Sequence, residues 1–235
     1  MTNNITDKIK ALFAKAHGTD NEHEAEIFAA KAAQLMAEHN LTRGDLKDPD
    51  EYGTRPMVAI KRNVYGLARI GLLARITTAN GIFTLYREKH TPSGWVYEVD
   101  GYGHLPTIDA CELLFTQLDA FAARHMKTVQ ASAGGSTTSA RRSWLLGFSW
   151  EIGQRLEAAN KTADADAEGC LLPVLADEKV RAEQIARELT TRWSPSRMSG
   201  ARDSAAAAAG QSAGATVDIG GPRVGATRAQ IGAGR

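Results

Sequence analysis

Apolar residues recur every three or four positions through most of this chain, and alternate in only one short region. Ile5, Ile9, Leu12 and Ala16 fall on one helical face, with Lys8, Lys10 and Lys15 outside it, and Gly18 suits a C-cap. Asn21 precedes Glu24 by three residues, a capping-box spacing that opens a second helix. There Ala25, Phe28, Ala29, Ala32, Leu35, Met36 and His39 share one arc, at about 100° per residue. Thr42 and Asp45 cap a short turn at Leu46, so residues 1–47 read as a helical hairpin. The polar stretch KDPDEYGTRP, with two prolines and a glycine, reads as a linker over 48–56.

A second unit is expected over 57–190. Leu67, Ile70, Leu73, Ala74 and Thr77 predict a helix stopped by Asn80-Gly81. The β-branched and aromatic runs Ile82–Tyr86 and Trp95–Val99 flank the turn-rich KHTPSG and predict a β-hairpin. After GYGHLP, read as a turn, Pro106 and Thr107 open a helix to about Lys127, with Cys111, Leu114, Phe115, Leu118, Phe121 and Ala122 as its buried stripe. ASAGGSTTSA is a flexible connector, and Trp144, Phe148, Ile152 and Leu156 then mark another helix. Cys170–Leu175 is a candidate third short strand, which Pro173 would confine to an edge; residues 177–189 are helical. The remainder, 191–235, is an Ala/Gly/Arg-rich tail with one weak helix over 201–213 and an extended end. The expected fold class is α+β, mostly α-helical: an N-terminal helical hairpin plus a helical unit containing one β-hairpin.

Composition narrows the function classes more than it selects one. Over 235 residues, 43% hydrophobic and 23% charged are ordinary globular values, and the net charge of +1 supplies no global field for DNA or lipid. The two cysteines, Cys111 and Cys170, have no metal or redox spacing. Neither a signal-peptide core nor a membrane-length apolar run is present, so a cytoplasmic protein with no membrane partner is expected.

The run KIKALFAKAHGTDNEHEAEIFAAKAAQLMAEHNL carries Lys8, Ile9, Leu12, Ala16, Glu24, Ala25, Lys31, Ala32, Leu35, Met36, His39 and Leu41 at the positions of a K-I-x-x-L-L-x-x-A run followed by E-A-x-x-A-x-x-K-A-x-x-L-M-x-x-H/Y-x-L. It resembles the domain of unknown function 2786 family, with Phe13 and Phe28 as volume changes in a packed face. The rest, through LLFTQL, WLLGFSWEIGQRL and DIGGPRVG, is similar to the uncharacterised domain 7168, although a tyrosine expected before the alanine-rich segment is absent. The resemblance implies a phage, plasmid or actinobacterial setting and a fold. Neither family has an established activity, so it implies no reaction.

Candidate chemistry is sparse. His39 on the apolar stripe reads, with Phe28, Leu35 and Met36, as packing between helices. His23-Glu24 fails as a zinc motif because Ile27 stands where the second ligand belongs. Gly101-Tyr102-Gly103 lacks the third glycine of a dinucleotide loop. His104, beside a helix start, is a candidate anion ligand. No nucleophile elbow or phosphate loop occurs, and no metal or cofactor is expected.

Arg141-Arg142 at a helix start oppose the macrodipole, which an anionic partner would relieve. In the tail, Arg192, Arg197, Arg202, Arg223, Arg228 and Arg235 face only Asp203 and Asp218; six charges less two leave +4. Arginine forks suit phosphate. These residues motivate the leading expectation, a non-enzymatic, nucleic-acid-associated accessory protein of a phage or other mobile element that binds DNA or RNA. The alternatives are a protein-interaction module acting on a host factor and an unrecognised hydrolase centred on His104.

Overall fold

The β-hairpin expected near residues 82–99 forms two of the three strands of a larger sheet. The computed structural model describes residues 5, 8–9, 11–12, 15, 24, 27–28, 31, 34–35, 51–131, 135–166, 171–196 and 199–219. Strand β1 (Tyr52–Lys61) leads into helix α1 (Gly66–Ala79), then β2 (Phe83–Thr91) and β3 (Gly94–His104). Helix α2 (Leu105–His125), a 3-10 turn, α3 (Thr137–Asp166), α4 (Leu171–Leu189) and α5 (Ser204–Thr216) follow. The sheet is antiparallel in the order β1-β3-β2. The architecture is α+β and mostly helical, and no described helix is long and apolar enough to cross a membrane.

Strand β1 begins inside the segment read as a linker. Its proline lies on an edge strand beside a register break between Pro56 and Val58, where a missing N–H disturbs the ladder least. Met57 and Ile60 then supply buried side chains, 6% and 1% exposed. The strands of the hairpin extend well past the aromatic runs, to Thr91 on one side and His104 on the other. Gly101-Tyr102-Gly103 is therefore strand, not the expected turn. Gly103 has φ +136°, open to glycine, and a Cβ there would lie 2.9 Å from Ile82 Cδ1.

The candidate third strand at Cys170–Leu175 is corrected from Leu171 onward: α4 starts there. The main-chain N–H groups of Leu171 and Leu172 both donate to Asp164 Oδ1 at 2.8 Å, satisfying two orphan donors of the first turn. Pro173 falls in that turn, where its missing N–H costs nothing.

Helices α1 and α2 cover one face of the sheet and α3 packs on α1, around Leu72, Leu73, Ile76, Ile108, Phe115, Leu118, Leu145, Phe148 and Ile152. Helix α5 belongs to this body although it lies in the segment read as a tail. Its N-cap Asp203 accepts from Ala206 N at 2.9 Å, and Ser143 Oγ on α3 accepts from Arg202 N and Asp203 N. Glycines at the crossing bring the two backbones together. A Cβ on Gly210 would lie 2.8 Å from the carbonyl carbon of Trp144. Helix α4 lies against the sheet with Glu178, Ala182 and Ala186 buried.

Candidate functional site

Strands β2 and β3 project their connecting turn beyond the helices, and the residues there are basic and aromatic. Gly94, at φ +108°, makes the turn, and Thr91 Oγ1 donates to Gly94 O at 2.7 Å. The next residue, Trp95, is 49% exposed. Its ring lies 5.2 Å from that of His90, its register partner, and 5.9 Å from the guanidinium carbon of Arg62. Arg62 is fixed at both ends: its N–H donates to Trp95 O at 3.0 Å, and its Nε donates to Glu88 Oε1 at 3.0 Å. Lys61 and Lys89, both register partners of Val96, lie on the reverse face of the sheet. Lys89 Nζ reaches Glu98 Oε1 at 2.5 Å, and that hydrogen bond, followed by those from Arg87, holds the Glu98 carboxyl below its usual range against desolvation. A tryptophan held half in water, with a cation within reach of its ring, is equipped to stack on a planar partner.

A second feature lies along β2. Residues Thr190–Ser196 pass over its outer edge and enclose a cleft of about 800 Å³. Tyr86 Oη meets Ser196 Oγ at 2.9 Å, Tyr102 Oη meets Thr190 Oγ1 at 3.3 Å, and Trp193 sits edge-on to Phe83 with centroids 5.2 Å apart. Arg87 in the cleft wall is paired with Glu98 and Asp100, while Arg192 has no carboxylate partner among the described residues. Trp193 thus anchors the segment, yet stays 37% exposed.

His104 is half of a different cluster. Its Nδ1 lies 2.8 Å from Thr107 Oγ1 and its Nε2 lies 3.0 Å from Glu51 Oε2. With the side chain only 13% exposed and one nitrogen facing a carboxylate, an anion would meet like charge there. Beside it, Tyr52 donates to Glu178 Oε1 at 2.6 Å under the guanidinium of Arg181, 3.7 Å from its ring. Burial, then the Glu178 bond, push the Tyr52 phenol upward. These contacts tie the start of β1 and the end of β3 to α2 and α4. Among the described residues, no group of three or more His, Cys, Asp or Glu could hold a metal ion.

The arginines singled out from the sequence do not assemble into one described surface. Arg141 donates to the carbonyls of Lys127 and Val129, and Arg142 to those of Ser199 and Gly200 at 2.6 and 3.1 Å. Both satisfy main-chain acceptors, which accounts for positive charge at this helix start without a phosphate. Arg202 is exposed near the same corner, and Arg192 lies on the β2 cleft. Arg197, Arg223 and Arg228 lie outside the described residues, as do Met36 and His39. Of the hairpin residues, Phe28 and Leu35 are half-buried on helical backbone, with Lys15 Nζ 5.8 Å from the Phe28 ring centroid. Sequence reasoning passed over Trp95 and Arg62; the alternating run containing Trp95 identified a strand but not its end.

Residues 4–43 match the model of a family described as a protein of unknown function (DUF2786). That match covers the N-terminal segment and ends before the sheet. No curated protein and no solved structure matches the chain.

Proposed function

We propose that this chain is a nucleic-acid-associated accessory protein that acts by binding rather than catalysis, in the phage or mobile-element setting that the resemblance of its remainder to domain 7168 implies. The observation that carries the reading is the half-exposed ring of Trp95 at the hairpin tip, with the Arg62 guanidinium beside it and Lys61 and Lys89 on the reverse face of the same strand ends. Base stacking on an aromatic ring is worth about 1–3 kcal/mol per base, and every base has a face to offer, so such a tip suits single strands of mixed sequence. The arginine tail enters as a supplement, through Arg202 and the residues beyond α5. The net charge of +1 means that binding depends on this local patch and weakens steeply with salt.

The test is a titration of single- and double-stranded oligonucleotides over a salt series. Trp95→Ala is expected to weaken single-strand binding roughly tenfold or more, and Arg62→Ala to flatten the salt slope by about one. No binding at low ionic strength, or binding indifferent to both substitutions, would end the proposal.

A further inference from the structure

The outer edge of β2 has unused hydrogen-bonding capacity, and its direction can be worked out. Arg62 N donates to Trp95 O, so the main chain of Trp95 faces β1. In an antiparallel ladder the N–H and C=O of one residue point to the same side, and successive residues alternate. Val96, Glu98, Asp100 and Tyr102 therefore face β2, and their register partners Lys89, Arg87, Leu85 and Phe83 face back. Thr84, Tyr86 and Glu88 are left with N–H and C=O directed off the sheet, into the cleft that all three line.

The segment over this edge leaves those groups open. It touches the sheet through side chains, at Tyr86–Ser196, Tyr102–Thr190 and Phe83–Trp193, and among the described residues no main-chain hydrogen bond joins it to β2. Sheet edges are blunted by charge, by proline or bulges, or by a covering segment. β2 carries Arg87, Glu88 and Lys89 but no proline, and its register with β3 is unbroken, so its outward main chain keeps the geometry for pairing.

Thr84 to Glu88 spans roughly 14 Å at 3.4 Å per residue, the length of a five-residue strand, and the cleft of about 800 Å³ lies along it. A second copy of this chain would bring a whole sheet, which the overlying segment excludes. A nucleic acid could meet Arg192, but it has no alternating N–H and C=O groups to pair with Thr84, Tyr86 and Glu88.

We propose that the cleft takes an extended peptide segment of another protein as a fourth strand beside β2. An acidic side chain or C-terminal carboxylate of that segment pairs with Arg192, the lining charge without a carboxylate partner among the described residues, and an apolar side chain packs on Trp193. Glu88 and Arg87 are already held, by Arg62 and by Glu98 and Asp100.

The experiment selects a displayed random octapeptide library against the full chain and maps amide hydrogen exchange with the recovered peptides. In the free protein the amides of Thr84, Tyr86 and Glu88 should exchange fast while those of Leu85 and Arg87 are protected. A recovered peptide should carry an acidic residue, protect the three fast amides, and lose at least tenfold in affinity both on N-methylation at alternate residues and with Arg192→Ala. Thr84→Pro, which removes an outward N–H and breaks no ion pair, should also weaken it. The proposal is overturned by an unenriched library, or by binding that ignores N-methylation and Arg192. Protection of the same amides by oligothymidylate, or by raising protein concentration alone, would give the cleft to another occupant and equally overturn it.

Discussion

Substituting Gly210 by alanine opposes two effects of known sign. In an isolated helix the change is favourable by about 1 kcal/mol, because glycine loses more backbone freedom on folding. In this fold the new Cβ would overlap the carbonyl oxygen of Trp144 and lie 2.8 Å from its carbonyl carbon and 2.9 Å from the amide nitrogen of Phe148, all backbone atoms of α3. Clearing the oxygen requires α5 to withdraw by more than about 1 Å, and a gap of that size forfeits about half of each contact along the crossing. Inserted methyl groups cost about 1–3 kcal/mol in packed sites, and a rigid backbone neighbour puts this one at the upper end. The net expectation is a loss of about 2 kcal/mol, or a fall in Tm of roughly 4–8 °C for a chain of this length. Gly200→Ala, with nothing within 4 Å of the added carbon, is the control and should change stability by less than about 0.5 kcal/mol. Thermal unfolding followed by circular dichroism measures both. If Gly210→Ala were neutral or stabilising, α5 would not be seated on α3, and the segment after residue 200 would be a tail after all.

Burial pushes the Cys111 thiol up to about 12, so in a Cys170→Ser background it should resist iodoacetamide at pH 8 until urea unfolds the chain. Above the ordinary thiol value of about 8.5 only the unfolded state loses that proton, so stability should fall with rising pH by up to about 1.4 kcal/mol per unit; a flat or rising urea midpoint between pH 9 and 11 would contradict this. Tyr52→Phe removes the donor to the buried carboxylate of Glu178 and should cost about 1–3 kcal/mol by urea unfolding, a loss that a merely superficial contact would not show. Arg142→Ala frees only exposed carbonyls and should cost under about 1 kcal/mol, with oligonucleotide affinity unchanged; a several-fold loss of affinity would place a phosphate contact at Arg142.

The helices that bury large side chains were legible because their spacing is simple. Cys111, Phe115 and Leu118 on α2, and Trp144, Phe148 and Ile152 on α3, are buried as the periodicity predicts. The misses have physical causes. Gly53 and Pro56 make β1 read as a linker, and only its position at the sheet edge reconciles that proline with a strand. Pro173 argued for an edge strand because its other permitted place, the first turn of a helix, needs a cap, which Asp164 near the end of α3 supplies. The docking of α5 leaves no apolar periodicity, since its contact with α3 is backbone against backbone at Gly147 and Gly210.

The site was less legible than the fold. The partners of Arg141 and Arg142 are carbonyl groups, which no residue type announces, so positive charge at the helix start invited a phosphate reading. Glu51 lies 53 positions before His104, beyond the reach of any local pattern. Trp95 read as one aromatic residue in a strand; its exposure follows from where the hairpin outgrows the helices.

Photocrosslinking to a single-stranded oligonucleotide, followed by mapping of the modified peptides, tests the nucleic-acid reading at its own location. Adducts concentrated on the Arg62 and His90–Trp95 peptides, and lost with Trp95→Ala, are the expected outcome. Adducts confined to other segments, or none at low salt, would contradict the assignment of the hairpin tip.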